Sequence, residues 1–354
     1  MPIPPKPKLL LDQHFRCIDE LFGRSTYSEL ASLFDICGGE NRPMARDDFL
    51  KELPGVDVII AAKPTLNRDE LSESRALKAI IEVSGTFQDG LDYEFCFKNG
   101  IEVLSCSPGF RYAVAEMTLG LILAGCRGIV EEHERFRQNE EHWVDDNIGT
   151  DFMLYGQSVG FVGYGEIARE CKRLLDPFAP KVKAFDPWIE RSGEKLVGVE
   201  LCDLEYLLST CRVIVIAATP TDENYKLISR QLVEQIPAGS LVVLASRAHL
   251  VDFEALVDAA QDRKIRFAAD VFPIEPVEET SRFRSAKNVI WSPHRAAAVE
   301  GGRHPIGDMI LHDCRNILRG KPNRRLKPAT EETVASIFRA PLASRKGGNR
   351  VGKR

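Results

Sequence analysis

The sequence predicts an α/β fold with two doubly wound parallel sheets, one in each of two domains. Three observations support this prediction. Short apolar strands alternate with helical patterns over residues 8–105. A strand, a glycine turn and an amphipathic helix follow one another over residues 159–175. The length of 354 residues is typical of two domains rather than one.

The amino-terminal part is predicted to contain parallel strands joined by helical crossovers. A first helix is expected at 15–22, and strands at 9–11, 56–61, 77–83 and 101–104. Residues 84–90 form a turn of small and polar residues directly after the third of these strands. The backbone N–H groups of such a turn can hold a carboxylate. An ordinary surface turn is an equally good interpretation of the local sequence.

The middle of the chain is predicted to be helical. Residues 108–127 indicate a linker that runs into a long helix, and the highly charged segment up to Trp143 should be a solvated or oligomer-facing surface. The longest apolar helical stretch, 117–126, is about half of the ~20 residues that a membrane span needs. We therefore expect no membrane partner.

Residues 159–168 show the pattern around which the second domain is organised. An apolar strand leads into Gly163 and Gly165, which allow a tight turn and a close approach of the backbone to a pyrophosphate. Ala168 stands where a third glycine is common, and the helix that begins here directs N–H groups at phosphates. Asp186 ends the next strand at the spacing expected of a carboxylate that holds an adenosine ribose. The pattern predicts a dinucleotide cofactor, and the carboxylate favours NAD over NADP because it repels a 2′-phosphate.

Four polar residues follow later strands of this domain. Strands are predicted at 213–218 and 240–246, and further apolar runs lie at 266–269 and 289–291. Arg247 stands at the end of 240–246, Asp270 and Glu275 follow 266–269, and His294 follows 289–291. Because the carboxyl ends of parallel strands share one edge of a sheet, these side chains should lie beside the cofactor. Taken singly, each has an ordinary alternative: a solvated charge, a turn, or a capping or core histidine.

Composition limits the remaining function classes. The net charge of −5 gives no footprint for nucleic acid. The nine cysteines are scattered without a Cys-x-x-Cys motif, which indicates reduced residues in a cytoplasmic protein and no metal site. The amino terminus lacks the apolar core of a signal peptide. Residues 340–354 are basic and glycine-rich, and we expect a disordered tail, with an RNA-binding or partner-binding arm as the alternative.

At these motifs the sequence resembles the D-isomer-specific 2-hydroxyacid dehydrogenase family, which includes phosphoglycerate dehydrogenase and glyoxylate/hydroxypyruvate reductase. The resemblance covers roughly residues 50–325, and its most specific blocks are 159–168, 244–247, 269–276 and 292–294. The turn at 84–90 also resembles the substrate-domain loop of the family.

The resemblance implies two Rossmann-like domains with NAD as the cofactor. A discontinuous substrate domain would comprise residues 1–107 and 301–335, and the NAD-binding domain would comprise residues 108–300. Family members are commonly dimers through the NAD-binding domain, so a homodimer is expected.

The resemblance also implies a mechanism in which a hydride passes between the nicotinamide and C2 of a D-2-hydroxy or 2-keto acid. His294 would exchange the proton of the C2 oxygen, and Glu275 would hydrogen-bond the other ring nitrogen of that histidine. Arg247 would bind the substrate and polarise its carbonyl. Backbone N–H groups of Ser84 and Gly85 would hold the substrate carboxylate. The residues expected at the NAD are Thr86, Gly163, Gly165, Glu166, Ile167, Asp186, Thr219, Ala245, Ser246 and Asp270.

Some basic residues depart from the family pattern. His249 stands two residues after Arg247, and Arg295 directly follows His294, where the family usually has a small or apolar residue. Arg111 lies near the predicted hinge. We hypothesise that Arg111, His249 or Arg295 reads an extra anionic or polyhydroxyl group of a sugar-derived acid, with plain surface charge as the alternative.

Two other functions remain open at this point. Formate or phosphite oxidation on the same fold is one, but formate oxidation needs no proton shuttle, and that subgroup typically replaces the glutamate that Glu275 matches. A non-enzymatic NAD(H)-sensing protein, similar to the C-terminal-binding corepressors, is the other. The joint presence of Arg247, Glu275 and His294 favours catalysis.

Overall fold

The computed structural model describes residues 5–13, 16–144 and 149–336. Contacts divide the chain into two compact units. The first unit draws on Met1–Arg111 and Ala297–Arg339, and the second on Tyr112–Ala296. The predicted domain limits, 107/108 and 300/301, differ from these limits by four residues each. The predicted tail at 340–354 lies outside the described residues.

The strands of both units are short, mostly of three to five residues. In chain order they are β1 Lys8–Asp12, β2 Asp35–Gly38, β3 Val58–Ala61, β4 Ala79–Glu82, β5 Glu102–Ser105, β6 Ser158–Val162, β7 Lys181–Phe185, β8 Val199–Leu201, β9 Val213–Ile216, β10 Leu241–Leu244, β11 Arg266–Ala269, β12 Val289–Trp291 and β13 Lys327–Pro328.

Helices join most of these strands. They are α1 Ile18–Leu21, α2 Arg24–Leu33, α3 Arg46–Glu52, α4 Arg68–Glu73, α5 Tyr93–Lys98, α6 Arg111–Cys126, α7 Ile129–Gln138, α8 Glu166–Leu175, α9 Pro187–Ser192, α10 Leu204–Thr210, α11 Arg230–Gln235, α12 Phe253–Gln261, α13 His304–Leu318 and α14 Glu331–Ala335. Short 3₁₀ turns lie at Leu53–Gly55, Ser107–Phe110, Asp176–Phe178, Asp222–Asn224, Ala248–Leu250 and Arg282–Ser285.

Each unit is built on one sheet of parallel strands. The first sheet has the order β13-β5-β4-β3-β1-β2, in which β1 to β5 run parallel and β13 pairs antiparallel with β5. The second has the order β12-β11-β10-β9-β6-β7-β8 and is parallel throughout. The predicted α/β fold with two parallel sheets is confirmed.

The central strands are buried along their whole length. Each residue of β3, β4, β9, β10 and β11 is buried, because helices cover both faces of a parallel sheet. Their sequences are therefore mostly apolar runs, with Glu82 at the end of β4 and Arg266 at the start of β11 as the charged residues, which is why prediction located them. The edge strands β2 and β8 are partly exposed and lack such a run, so they were not predicted. The strands predicted at 213–218 and 240–246 end two residues earlier, and the helix predicted at 15–22 is Ile18–Leu21.

Helix α13 returns the carboxyl-terminal part of the chain to the first unit. A Cβ on Gly307 would lie 2.3 Å from the carbonyl oxygen of Leu21, so α13 passes α1 at a distance that only glycine permits. Thr26 Oγ1 on α2 donates to Asp308 Oδ1 at 2.7 Å. These contacts explain how the first unit is assembled from two stretches of sequence.

The long helix predicted in the middle of the chain is α6, which is followed by α7. Within the described residues, no single helix has both the length and the apolar character needed to cross a membrane. Ser107–Cys126 and Ile129–Gln138 reach that length and composition only when taken together, across a bend of 55°.

Candidate active site

The glycine turn lies at the point where the strand order of the second sheet reverses. Strand β6 is flanked by β7 on one side and β9 on the other, and the turn follows β6 directly. Gly163 has φ +85°, and a Cβ there would lie 2.3 Å from Ala218 Cα. Both the dihedral angle and the contact exclude any other residue. Crevices at such reversal points are where α/β sheets bind nucleotides.

The start of α8 is open toward this crevice. Gly165 is the N-cap residue, makes no side-chain cap, and a Cβ on it would meet no atom within 4 Å. The first N–H groups of the helix, at Glu166 and Ile167, directly follow this uncrowded glycine. This is the arrangement that accommodates a pyrophosphate at a helix N-terminus.

Asp186 joins the end of β7 to the glycine turn. Its Oδ2 accepts from the N–H of Tyr164 at 2.8 Å. Its Oδ1 accepts from the N–H groups of Trp188 and Ile189, at 3.0 and 3.2 Å, and so caps α9. The carboxylate predicted at the ribose thus lies against the turn predicted at the pyrophosphate. A carboxylate has about four acceptor positions, so one remains for a ribose hydroxyl.

The ends of β9 and β10 carry three more of the predicted cofactor residues. The N–H of Ala245 and Oγ of Ser246 both donate to the carbonyl of Ile216, at 3.1 and 3.2 Å. The carbonyl of Thr219 accepts from Asn224 Nδ2 at 2.8 Å. These bonds hold the segments after the two strands side by side at the carboxyl edge of the sheet.

Arg247 follows β10 and lies among carboxylates. Its Nη1 donates to the carbonyl of Ser246 at 2.8 Å. Burial lowers the pKa of Arg247, while Glu275 and Asp270 lie close enough for their charges to oppose that shift. The guanidinium is therefore held at the same edge as these two acids. It remains a cation at any pH that proteins experience.

Glu275 and His294 form a hydrogen-bonded pair. His294 Nδ1 and Glu275 Oε2 are 2.6 Å apart, and the other oxygen of Glu275 accepts from the N–H of Phe272 at 2.9 Å. Burial acts to raise the pKa of Glu275, but the hydrogen bond and charge of His294 outweigh it, and the pKa is lowered. An ionised carboxylate on Nδ1 fixes the ring orientation and leaves Nε2 to exchange a proton.

Asp270 organises the turn that carries His294. It is almost completely buried, and its carboxylate accepts from the N–H groups of Arg295 and Ala296 at 2.8 and 3.0 Å and from the hydroxyl of Ser292. Sequence reasoning assigned Asp270 to the cofactor and overlooked Ser292. The position of Ser292, two residues before His294 in the block 292–294, was the available signal.

The backbone of His294 adopts a conformation that is uncommon for a residue with a side chain. Its φ is +53°, and its N–H donates to the carbonyl of Ser292 at 2.9 Å. Left-handed non-glycine residues cost free energy and concentrate at functional sites. The bonds of Asp270 on both sides of the turn are the physical reason that this conformation persists.

Aromatic packing supports the loops beneath Glu275 and His294. Trp291, at the end of β12, stacks on Phe253 with ring centroids 5.9 Å apart and donates from Nε1 to the carbonyl of Phe283 at 2.7 Å. Phe272 packs against both rings. The segments that carry the acid and the imidazole therefore rest on one rigid cluster.

Of the basic residues that depart from the family pattern, His249 does not supply a cation. Its Nε2 lies 2.9 Å from Asn224 Oδ1, and its ring packs edge-on against Tyr225. Burial lowers the pKa of His249, so the imidazole is neutral near pH 7. Arg295 contributes its N–H to the carboxylate of Asp270.

In the first unit, the turn at 84–90 follows β4 and is closed internally. Gly85 has φ +96°, and a Cβ there would lie 2.7 Å from Phe110 Cε2. Gln88 Nε2 contacts Ser84 Oγ at 2.9 Å, the carbonyl of Thr86 at 2.8 Å and Thr86 Oγ1 at 3.1 Å. The turn is thus rigid and places the N–H groups of Ser84 and Gly85 in one direction.

Those two N–H groups already have an acceptor. Glu82, the last residue of β4, is 1% exposed, and its carboxylate accepts from the N–H groups of Ser84 and Gly85. Ser105 Oγ donates to its Oε2 at 3.0 Å. Burial raises the pKa of Glu82 to about 7 against the opposing effect of these hydrogen bonds. The two N–H groups predicted to bind the substrate carboxylate therefore bind the carboxylate of Glu82 instead. Sequence reasoning did not identify Glu82.

The comparisons with known proteins agree on one family. A protein-family model matches residues 119–296, half of the chain. Its description is "D-isomer specific 2-hydroxyacid dehydrogenase, NAD binding domain". The D-3-phosphoglycerate dehydrogenase of Methanocaldococcus jannaschii is 28% identical over 281 residues, which cover 78% of this chain and 53% of that protein. The hydroxypyruvate reductase of Thermotoga maritima is 27% identical over 267 residues, covering 75% and 85%.

A solved structure is similar over nearly the whole chain. The crystal structure of a phosphoglycerate oxidoreductase from Rhizobium etli superposes with a TM-score of 0.80 at 30% identity, covering 92% of this chain and 99% of that one. By contrast, the chain spans about half the length of the curated D-3-phosphoglycerate dehydrogenases it matches.

Proposed function

Because the chain belongs to the D-isomer specific 2-hydroxyacid dehydrogenase family, we propose that it transfers a hydride between NAD and C2 of a D-2-hydroxy or 2-keto acid. The observation that carries this proposal is the 2.6 Å hydrogen bond between His294 Nδ1 and Glu275 Oε2, beside Arg247. A proton-exchanging imidazole, its orienting carboxylate and a cation are what reduction of a ketone requires.

The roles of the three catalytic residues follow from this chemistry. His294 Nε2 donates a proton to the C2 oxygen during reduction and accepts one during oxidation. Glu275 holds the ring and stabilises the imidazolium. Arg247 binds the C2 oxygen or the carboxylate and stabilises the negative charge that develops on the carbonyl. NAD supplies or accepts the hydride.

The cofactor residues fit a dinucleotide. Gly165 would leave room for the pyrophosphate, Gly163 would hold the turn beside it, and the N–H groups of Glu166 and Ile167 would bind it. Asp186 binds the adenosine ribose, which favours NAD over NADP because its charge repels a 2′-phosphate. The remaining contacts are assigned to Thr86, Thr219, Ala245, Ser246 and Asp270. A kcat/KM for NADPH equal to that for NADH would overturn the choice of NAD.

The substrate is proposed to be an acid larger than glyoxylate, with a sugar-derived 2-keto acid as the leading candidate. Ser84 and Gly85 are assigned to its carboxylate. Of the basic residues that depart from the family pattern, Arg111 and Arg295 keep their charge, whereas His249 is neutral near pH 7. Arg111 and Arg295 therefore remain the candidates for a further anionic or hydroxyl group, and Arg295, next to His294, is tested first. An unchanged KM across a panel of acids in Arg295→Ala would exclude it.

We further propose a cytoplasmic homodimer. Helix α7 buries none of its residues, and large apolar side chains are exposed on it and after it: Ile129 (56%), Phe136 (61%), Trp143 (75%) and Met153 (65%). Exposed apolar side chains of this size favour association when they lie together at an interface. Light scattering of the wild type and of Phe136→Glu tests this, with a dimer expected for the former and a monomer for the latter. A monomeric wild type would contradict it.

The decisive experiment is NADH consumption with a panel of 2-keto acids. Glyoxylate, hydroxypyruvate and branched sugar-derived acids are offered to the wild type, to His294→Ala and to His142→Ala. His142 makes the same kind of pair, 2.8 Å from Glu132, but lies outside the site. We expect His294→Ala to lose turnover by about 10²–10⁴-fold and to keep NADH binding, while His142→Ala behaves as wild type.

The same assays separate the alternative functions. Reduction of no acid, combined with NADH-dependent binding of a protein partner, would identify a non-enzymatic NAD(H) sensor. Oxidation of formate or phosphite that survives in His294→Ala would identify the corresponding dehydrogenase, since formate oxidation does not need the proton shuttle.

A further inference from the structure

Glu82 is an unexpected residue at its position. It ends β4, whose other residues are apolar, and it is buried between neighbouring strands, opposite Ala61 of β3 and Ser105 of β5. Carboxylates are almost never fully buried without partners, because leaving water costs the charged form free energy. A buried carboxylate at the carboxyl edge of the substrate-unit sheet therefore calls for a function.

Its partners are the groups assigned above to the substrate. Oε1 accepts from the N–H groups of Ser84 and Gly85, the latter at 2.9 Å, and Oε2 lies 3.1 Å from the same N–H of Gly85 and accepts from Ser105 Oγ at 3.0 Å. The donors are thus shared by one carboxylate. A second ionised carboxylate cannot use them at the same time, since two like charges in one buried site cannot both ionise.

The other groups around Glu82 come from three elements. Arg16, in the segment after β1, donates from Nε to the carbonyl of Val83 at 3.0 Å, and its charge acts on Glu82. Cys106, after β5, is buried, and Tyr93 on α5 donates to the carbonyl of Gln88 at 2.6 Å. Burial raises the pKa of both Cys106 and Tyr93, so they stay neutral near pH 7. The positive charge of Arg16 offsets the negative charge of the Glu82 carboxylate.

We propose that Glu82 is a resident carboxylate that occupies the substrate-carboxylate anchor and is exchanged for the substrate, taking up a proton as it releases the two N–H groups. This inference rests on the proposed function. The step is balanced: one O–H bond forms on Glu82 with a proton from solvent, and the N–H donors pass from the Glu82 carboxylate to that of the substrate. The charge of the buried site is the same before and after.

The exchange makes binding depend on pH. Above pH 7, Glu82 must take up one proton for each acid that binds. This proton uptake alone makes the KM increase with pH, approaching a tenfold increase per pH unit. Glu82 thereby acts as a specificity-determining residue. It weakens the binding of small acids that have no other polar group, and it favours acids that make further contacts elsewhere.

The test is calorimetric titration with oxamate, a 2-keto acid analogue that is not reduced, in the presence of NADH. Titrations at pH 8 in two buffers of different ionisation enthalpy count the protons taken up. The variants are Glu82→Gln and, as the matched control, Glu102→Gln. Glu102 begins the adjacent strand β5 and pairs with Arg324 at the opposite end.

We expect the wild type and Glu102→Gln to take up about one proton more per oxamate than Glu82→Gln, because the amide cannot be protonated. Between pH 7 and pH 8, the increase in the KM for glyoxylate should be smaller in Glu82→Gln than in the wild type. If the wild type and Glu82→Gln take up equal numbers of protons while both bind oxamate and reduce glyoxylate, this inference is overturned and the proposed function is left intact. A wild type that neither binds oxamate nor reduces any acid would instead overturn the proposed function.

Ser105→Ala provides a second test that does not alter Glu82. Loss of one hydrogen bond to the resident carboxylate makes it easier to displace. The KM for glyoxylate at pH 8 should therefore fall by about fivefold, the equivalent of one ordinary hydrogen bond. If Glu82 and Ser105 only stabilise the turn, the KM should rise instead.

Discussion

The backbones of Gly163 and Ala218 pass so close to each other that a Cβ on Gly163 would lie 2.3 Å from Ala218 Cα. This approach brings the turn after β6 against the segment after β9, and it defines one wall of the crevice at the strand-order reversal. Gly165, two residues on, borders open space instead. The two glycines therefore have different surroundings, and the sequence pattern likewise assigns them different roles, the tight turn to Gly163 and the close approach of a pyrophosphate to Gly165.

Gly163→Ala and Gly165→Ala should have separable effects. Gly163→Ala should lower the free energy of unfolding by about 2–4 kcal/mol, because it adds both a clash and a left-handed alanine. Gly165→Ala should leave stability within about 1 kcal/mol but raise the Kd of NADH at least tenfold, because its methyl group enters the space of the pyrophosphate. Urea unfolding and fluorescence titration with NADH measure the two quantities. Equal losses of stability would refute the distinction.

Glu275→Gln should lower kcat without weakening NADH binding. The amide keeps the size of the side chain but cannot stabilise the imidazolium of His294, and we expect kcat to fall by about 10–100-fold. The matched control is Glu279→Gln, an exposed residue four positions on in the same segment, which should behave as wild type. Steady-state kinetics from pH 5 to pH 9 provide the measurement. A kcat equal to that of the control would remove Glu275 from the mechanism.

Asp270→Asn should loosen the turn that carries His294. The amide nitrogen would face the N–H donors of Arg295 or Ala296, which leaves at least one buried donor without an acceptor and costs about 1–3 kcal/mol. Ser292→Ala removes only the hydroxyl and should cost about 1 kcal/mol. Thermal unfolding gives the stabilities, and kcat should fall in the same order. Unchanged kcat in Asp270→Asn would mean that the His294 turn does not depend on this carboxylate.

Glu82→Gln should change how stability depends on pH. The folded-state pKa of Glu82, about 7, lies above the ordinary value of a glutamate, so the folded protein binds the extra proton. The stabilisation is complete below about pH 4.5 and is lost as the pH rises through 7. Relative to Glu82→Gln, the wild type should therefore lose about 2–3 kcal/mol between pH 5 and pH 8.

Urea unfolding at those two pH values measures this difference, with Glu102→Gln as the control. A difference between the wild type and Glu82→Gln that stays constant with pH would show that the folded state does not hold Glu82 in a proton-binding environment.

The sequence alone determined the features that depend on neighbouring residues. Buried parallel strands are mostly apolar, so β3, β4, β9, β10 and β11 could be located directly, although β4 and β11 each have one charged residue at an end. The glycine turn was apparent because a positive φ requires glycine, and the strand ends located Arg247 and the acids. These properties are local in the chain, and a local pattern predicts them.

Only the tertiary structure decided how distant segments share hydrogen bonds. In the sequence, Glu82 is one charged residue in an apolar run. Its hydrogen bonds with the N–H groups of Ser84 and Gly85 form because the turn folds back over β4, and Ser105 of the adjacent strand adds another. The same holds for Asp270 and the turn after β12. The physical reason is that a buried polar group must find its partners among whatever the packed sheet brings near, and that set is defined only by the complete fold.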